Sequence, residues 1–144
     1  MSYATSNDLT TVGLPVNALA TITTAQIESA LQNASDRADA AFRARYGNQA
    51  VPLQQWDSTI VQAVAKMAAF ELMVVRGLKP GGPDWDLFQY RNQEALDYLD
   101  RVQRQQAHPL VTLAGNASAP LQPNLKSSSV VNVMNGASSQ KRGW

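Results

Sequence analysis

The chain has 144 residues, of which 44% are hydrophobic and 16% are charged, and its formal net charge is +1. This length and composition predict one soluble domain with a modest core. Because the chain has no cysteine and a single histidine, His108, it does not supply a thiolate nucleophile, a Cys–His pair or a Cys/His zinc site. No apolar run approaches the ~20 residues of a membrane span, and the first residues lack the basic and apolar regions of a signal peptide. We therefore expect an intracellular or particle-bound protein.

The charge is distributed unevenly along the chain. Residues 1–107 hold nine Lys/Arg and all eleven Asp/Glu, a net of −2, whereas residues 108–144 hold three Lys/Arg and no acid, a net of +3. The second part also contains three prolines and a run of three serines and shows no helical periodicity. The pattern predicts a mildly acidic body at 1–107 followed by a basic C-terminal arm at 108–144.

Two capping patterns mark the first helices. Thr5 with Asp8 three residues later resembles a capping box, and Gly13 then limits this first helix to about two turns. Thr23 with Gln26 forms a second capping box, and Gly47 closes the helix that follows, which gives a length of about 23 residues. Its apolar positions recur every three or four residues and are mostly alanine, which allows close helix packing: Ile27, Leu31, Ala34, Ala38, Ala41 and Phe42.

Two further long helices are predicted after a proline-containing connection at 48–56, whose apolar residues Val51, Leu53 and Trp56 are expected to pack over a helix end. Asp57 or Ser58 caps the next helix, and residues 60–75 are apolar almost all round, which is typical of the most buried helix. Asp84 is a natural cap for the last helix. One face of that helix carries Phe88, Ala95, Leu99 and Val102. The predicted fold is all-α: a small antiparallel bundle of one short and three longer helices.

The arm carries the candidate partner-binding residues. Near its start, Leu110, Val111 and Leu113 indicate either a short strand or an extended segment lying on the bundle. A second apolar patch consists of Val130, Val131, Val133 and Met134, and the end of the chain combines charge with an aromatic ring at Lys141, Arg142 and Trp144. Since neither patch can build a core alone, we expect these ten residues to contact a partner, with the second patch buried in an assembly.

The remaining polar patterns predict no catalytic, cofactor or metal site. His108 has no partner fixed by spacing, and we expect it to lie near the C-terminal carbonyls of the last helix. The aspartate pairs 36/39 and 97/100 lack the Glu-x-x-His of helical carboxylate sites. The loop containing Gly81 and Gly82 is not followed by the Lys-Ser/Thr of a phosphate loop. The chain is therefore not expected to be an enzyme.

The order of these pieces resembles the head-to-tail adaptor, or connector, proteins of tailed bacteriophages, including the small neck proteins of Mu-like prophages. The resemblance rests on YATSNDL as the first helix, TTAQIESALQNASDRADAAFRARYG as the first long helix, the proline-containing loop, the apolar helix IVQAVAKMAAFELMVVRG, and RNQEALDYL in the last helix. It covers roughly residues 3–113, and the arm after Gly115 extends beyond the compact form of that family.

The resemblance implies an assembly role in the virion. Adaptors form a ring, commonly of twelve subunits, beneath the portal at the capsid vertex. The ring extends the DNA channel without sequence-specific DNA contacts and binds the tail or a stopper protein. The partners implied are the portal protein, neighbouring adaptor subunits and that tail or stopper protein, with no membrane, and assembly is expected in the cytoplasm of the bacterial host. The alternative is a small prophage or bacterial regulator that binds DNA or a helical partner. Such a regulator would need a recognition helix with an exposed basic face, and the long helices do not show one cleanly.

Overall fold

The computed structural model describes residues 1–114. This part of the chain contains five α-helices, a short 3-10 turn at Asn48–Ala50 and no β-strand, so the all-α prediction is confirmed. The helices are α1 Ser6–Thr11, α2 Val16–Ala20, α3 Thr24–Tyr46, α4 Ser58–Arg76 and α5 Trp85–Gln103. The predicted C-terminal arm lies outside the described residues beyond position 114.

Local capping explains where the long helices begin. At α3, the Gln26 N–H donates to Thr23 Oγ1 at 3.2 Å and the Thr23 N–H donates to Gln26 Oε1 at 3.1 Å, which completes the predicted capping box. At α4, Asp57 is the N-cap and its carboxylate accepts the N–H groups of Thr59 and Ile60. Asp84 occupies the N-cap position of α5 but makes no side-chain capping bond.

The three long helices pack against one another, with α4 contacting both α3 and α5. Arg76, the last residue of α4, donates through Nε to Thr21 Oγ1, three residues before the start of α3, at 3.0 Å. Phe70 packs edge-on against Trp85 at the start of α5, with ring centroids 5.5 Å apart. These contacts show that α4 runs opposite in direction to both of its neighbours.

Burial follows the predicted faces closely. The α4 residues in the core are Ile60, Ala63, Val64, Ala65, Met67, Ala68, Ala69, Leu72 and Met73, and those of α5 are Phe88, Ala95, Leu99 and Val102. On α3, the four buried alanines lie with Leu31, Ser35 and Phe42. The small alanine side chains allow the helix backbones to approach closely, so the helices share one continuous core.

By length and composition alone, α4 is long and apolar enough to cross a membrane, whereas we expected from the sequence that no apolar run would be long enough. Half of its most apolar window is buried inside the protein. The core helix of a soluble protein has the same character.

Gly77 ends α4 in a left-handed conformation with φ 110°. The N–H of the next residue, Leu78, donates to Met73 O at 2.8 Å, as in a Schellman C-cap. Replacing Gly77 with alanine should lower the free energy of unfolding by about 1 kcal/mol, because a Cβ atom is disfavoured at this φ. Chemical denaturation measures the change. Gly77→Asn is the control, since asparagine tolerates this region better; an alanine variant as stable as wild type would contradict the cap assignment.

Candidate partner-binding surface

The body ends in a short extended stretch, residues 107–114, which we call the exit segment. It pairs with the loop that precedes α4 through one antiparallel bridge between Gln55 and Thr112. The Gln54 N–H donates to Thr112 O, and the Thr112 N–H donates to Gln55 O, both at 2.9 Å. Of the two structures that the sequence left open here, the extended segment lying on the bundle is therefore the one found.

The exit segment contains three of the predicted partner-binding residues. Val111 and Leu113 are only 5% and 4% exposed and belong to the core of the body, whereas Leu110 is 63% exposed. Of these three side chains, Leu110 alone is open to a partner. The other seven lie outside the described residues: Val130, Val131, Val133, Met134, Lys141, Arg142 and Trp144.

Arg45, near the end of α3, fastens the exit segment to the end of α5. Its Nη1 donates to Val102 O at 3.2 Å and to Ala107 O at 2.7 Å, and its Nη2 lies 2.8 Å from His108 Nδ1. Since a guanidinium group only donates, His108 Nδ1 accepts and this ring carries its hydrogen on Nε2. His108 was expected at the C-terminal carbonyls of α5; instead, Arg45 bonds one of them, Val102 O, and His108 bonds Arg45.

Tyr3 connects the first residues of the chain to α3 and to the loop before α4. Tyr3 is 2% exposed, and its hydroxyl donates to the Asp39 carboxylate. The same Tyr3 hydroxyl oxygen accepts the Leu53 N–H at 2.9 Å. The indole Nε1 of Trp56 donates to Tyr3 O at 3.0 Å, and the two rings meet edge-on with centroids 4.7 Å apart. The first residues are thereby held in place by a network that spans 53 positions of sequence.

Burial shifts the acid–base properties of this network. It raises the pKa of the Tyr3 hydroxyl well above its ordinary value, and the hydrogen bond to Asp39 raises this pKa further. Burial also raises the pKa of Asp39, although the hydrogen bond from Tyr3 and the charge of Arg43 oppose that shift. Beside Arg45, burial raises the pKa of Tyr46 to about 12. The folded protein is thus most stable with both Tyr3 and Tyr46 neutral.

The arm leaves the body from a fixed position. The Ala114 N–H donates to Ala50 O at 3.0 Å, and the Leu110 N–H donates to the Asp57 carboxylate at 3.0 Å. The loop before α4 therefore bonds both the first residues, through Tyr3, and the last described residues of the chain. We call this region, where the two ends of the body meet the loop, the exit corner.

A groove with an apolar floor lies between the first residues and the first part of α3, and we call it the N-terminal groove. Its volume is about 400 Å³, which is within the usual range of ~300–1,000 Å³ for ligand sites. Ala4 and Leu31 are buried at its floor and Ile27 is half-buried, while Glu28 is an exposed carboxylate in its wall. The groove therefore combines an apolar floor with a polar wall that carries one carboxylate.

A second, more polar groove of about 190 Å³ lies between α4 and α5. Lys66 forms an ion pair with Glu94, and the hydroxyl oxygens of Thr59 and Tyr98 are 2.6 Å apart. Burial raises the pKa of Tyr98, while the hydrogen bond with Thr59 opposes that shift. These side chains already bond one another, so they act first as contacts between the helices.

The aspartate pairs noted in the sequence bond neighbouring side chains. Asp36 accepts from Gln32 at 2.8 Å, and Asp97 accepts from Gln93 at 2.9 Å. Asp100 forms an ion pair with Arg104 at 3.1 Å. Within residues 1–114, no three Asp, Glu or His side chains lie close enough to hold a metal ion.

Two residues with central roles at the exit corner were missed by sequence reasoning. Tyr3 appeared only within the stretch YATSNDL of the first helix, and Arg45 only within the stretch of the first long helix, without a role of its own. The available signals were an aromatic residue just before α1 and an arginine near the end of α3. Such signals do not specify a contact with residues many positions away in sequence. Their contacts exist because the fold brings distant segments together.

Comparison with known proteins identifies a family. The family model described as Bacteriophage Mu, Gp36 matches residues 3–130. The match continues beyond residue 113, where the sequence resemblance was expected to end, so part of the arm belongs to the family pattern. No curated protein and no solved structure matches the chain significantly. Since the family model spans most of the chain, this phage protein belongs to the Bacteriophage Mu Gp36 family.

Proposed function

We propose that the protein is a head-to-tail adaptor of a tailed bacteriophage. In this proposal, copies of the helical body form a ring, commonly of twelve subunits, beneath the portal. The ring extends the DNA channel without reading sequence and connects the capsid to a tail or stopper protein. The arm docks on the portal or on a neighbouring subunit. The role is structural, without catalysis or membrane contact, and its place is the neck of the virion.

The observation that carries this proposal is the exit corner, considered with the phage family. The family match is consistent with a virion component. Three backbone bonds and Arg45 hold the exit segment on the body, so each subunit would present its arm from the same position and in the same direction. Subunits in a closed ring make the same contact repeatedly, which requires such a fixed geometry.

A further contact surface lies at the α4–α5 loop, at the end of α5 that is opposite to the exit corner. Val74 and Val75 at the end of α4 and Leu87 at the start of α5 are exposed, with 45%, 57% and 48% of each residue open to solvent. These apolar side chains lie on either side of the loop that joins the two helices. A neighbouring subunit or a tail protein that covers them would gain hydrophobic contact area.

Deleting residues 116–144 tests the proposed docking role. We expect the shortened protein to remain helical, because all of the described contacts are kept, and to lose binding to its portal. Co-sedimentation with portal assemblies should fall on the order of tenfold, since the anchoring side chains of an interface carry most of its binding energy. Circular dichroism of the same samples verifies that the body is folded.

The matched control is the full chain with Ser127→Ala and Ser128→Ala, which alters the arm outside its apolar and basic residues. This control should co-sediment like wild type. Unimpaired co-sedimentation of the deleted form would refute the docking role of the arm. Strongly salt-dependent binding of the isolated protein to duplex DNA would instead favour the alternative function, a DNA-binding regulator. Electron microscopy of the protein with its portal would show directly whether a ring forms.

A further inference from the structure

The N-terminal groove presents an apolar floor on the surface of the described body. Its floor of Ala4 and Leu31, extended by Ile27, is open on one side, and its volume of about 400 Å³ suits a few aliphatic side chains rather than a large ligand. Burying apolar area there would be favourable. The groove is therefore suited to a short apolar stretch of peptide.

The arm contains such a stretch. Residues 130–134 read Val-Val-Asn-Val-Met, four apolar side chains around one asparagine. The arm has three basic residues and no acidic one, and Lys126 precedes the stretch by four positions. Glu28 in the wall of the groove, and Asp36 further along the exposed side of α3, carry the opposite charge. The apolar character of the stretch complements the floor of the groove. Charge contributes less, because Glu28 is the one charged residue among the described residues that line the groove, and the N-terminal ammonium group bonds Gln32 beside it.

The arm is also long enough to reach the groove of its own chain. The exit segment ends at Ala114, which is bonded to Ala50 just beyond the end of α3, whereas the groove lies beside the start of α3. The 23 residues of α3 span about 34 Å. The fifteen residues at 115–129 reach up to about 50 Å when extended. A tethered segment also experiences an effective concentration on the order of millimolar, which favours its own body over a second copy.

We propose that residues 130–134 occupy the N-terminal groove of the same chain in the isolated protein. The apolar patch of the arm is then covered until a partner displaces it. This occupancy does not depend on the adaptor role, because it concerns the free chain alone.

The absence of cysteine from the chain allows a direct test by disulfide trapping in the full-length protein. The test variant carries Glu28→Cys, in the groove wall, and Asn132→Cys, in the middle of the apolar stretch. The matched control carries Gln93→Cys on the exposed face of α5 together with Asn132→Cys. Under mild oxidation, we expect at least about fivefold more cross-linked monomer from the test pair, and a yield unchanged by tenfold dilution.

A third substitution tests whether apolar contact holds the segment. Adding Val131→Asp to the test pair should lower the yield to the control value, whereas adding Ser127→Asp, with the same change in charge, should not. Equal yields from the test and control pairs would refute the docking. Cross-linked dimers that disappear on dilution would place the segment in the groove of a second copy and so overturn the same-chain proposal.

Discussion

Replacing Tyr3 with phenylalanine should lower the free energy of unfolding by about 2–3 kcal/mol. The ring and its contact with Trp56 remain, but the hydroxyl that donates to Asp39 and accepts the Leu53 N–H is lost. The Leu53 N–H is then left without its acceptor in a buried position, and a half-buried carboxylate loses a donor; both changes are costly. Chemical denaturation of the full-length protein measures the difference.

The control for this prediction is Tyr90→Phe. Tyr90 is 67% exposed, so its hydroxyl is hydrated in the folded and unfolded states alike, and its removal should change stability by less than about 0.5 kcal/mol. If both variants are equally stable, the Tyr3 network does not hold the N-terminal residues as described.

The same variant should alter the response to alkaline pH. Because the pKa of Tyr3 is raised in the folded protein, the unfolded chain loses this proton first as the pH rises above 10. Stability that is fully present below pH 10 is therefore lost above it, by about 1.4 kcal/mol per pH unit for such a group. In Tyr3→Phe this contribution disappears, so its stability should fall less steeply between pH 10 and pH 11.

Replacing Arg45 with methionine should cost about 2 kcal/mol and should act mainly on the exit segment. Methionine keeps an unbranched apolar side chain but removes the donors to Val102 O, Ala107 O and His108. Relative to wild type, hydrogen exchange should accelerate more at the Thr112 and Ala114 amides than at amides within α4.

Arg37→Met is the matched control, because it removes the same charge from an exposed position on the same helix. It should leave exchange in the exit segment unchanged and stability within about 0.5 kcal/mol of wild type. Equal exchange rates in both variants would show that the backbone bridge holds the segment without Arg45.

Local sequence signals predicted the long helices well. The capping box at Thr23 and the glycine at position 47 bound α3 as expected, because these signals act within three or four residues. The burial of α5 also followed its periodicity. No comparable signal marks α2, which begins after Pro15 without a side-chain cap and buries Ala18. Such a short helix depends on tertiary contacts, not on its own propensity.

The exit corner was much harder to predict than the helices. Val111 and Leu113 were expected to contact a partner, but their side chains are buried in the core of the body. His108 was expected at the helix carbonyls because a histidine ending a helix commonly favours that position. Arg45, on another helix, instead donates to Val102 O of α5 and to Ala107 O of the exit segment, 57 and 62 residues away in sequence. No local pattern encodes an interaction over that distance.

The bridge between Gln55 and Thr112 also determines how the body would respond to mechanical load. A pull on the arm acts first on the bond between Ala114 and Ala50, and next on the two backbone bonds of the bridge. Through them the tension passes into the loop before α4 and so into the most buried helix. It does not act directly on the C-terminal turn of α5, which would otherwise unwind from its free end. The exit corner would thus shield the last helix from tension applied to the arm.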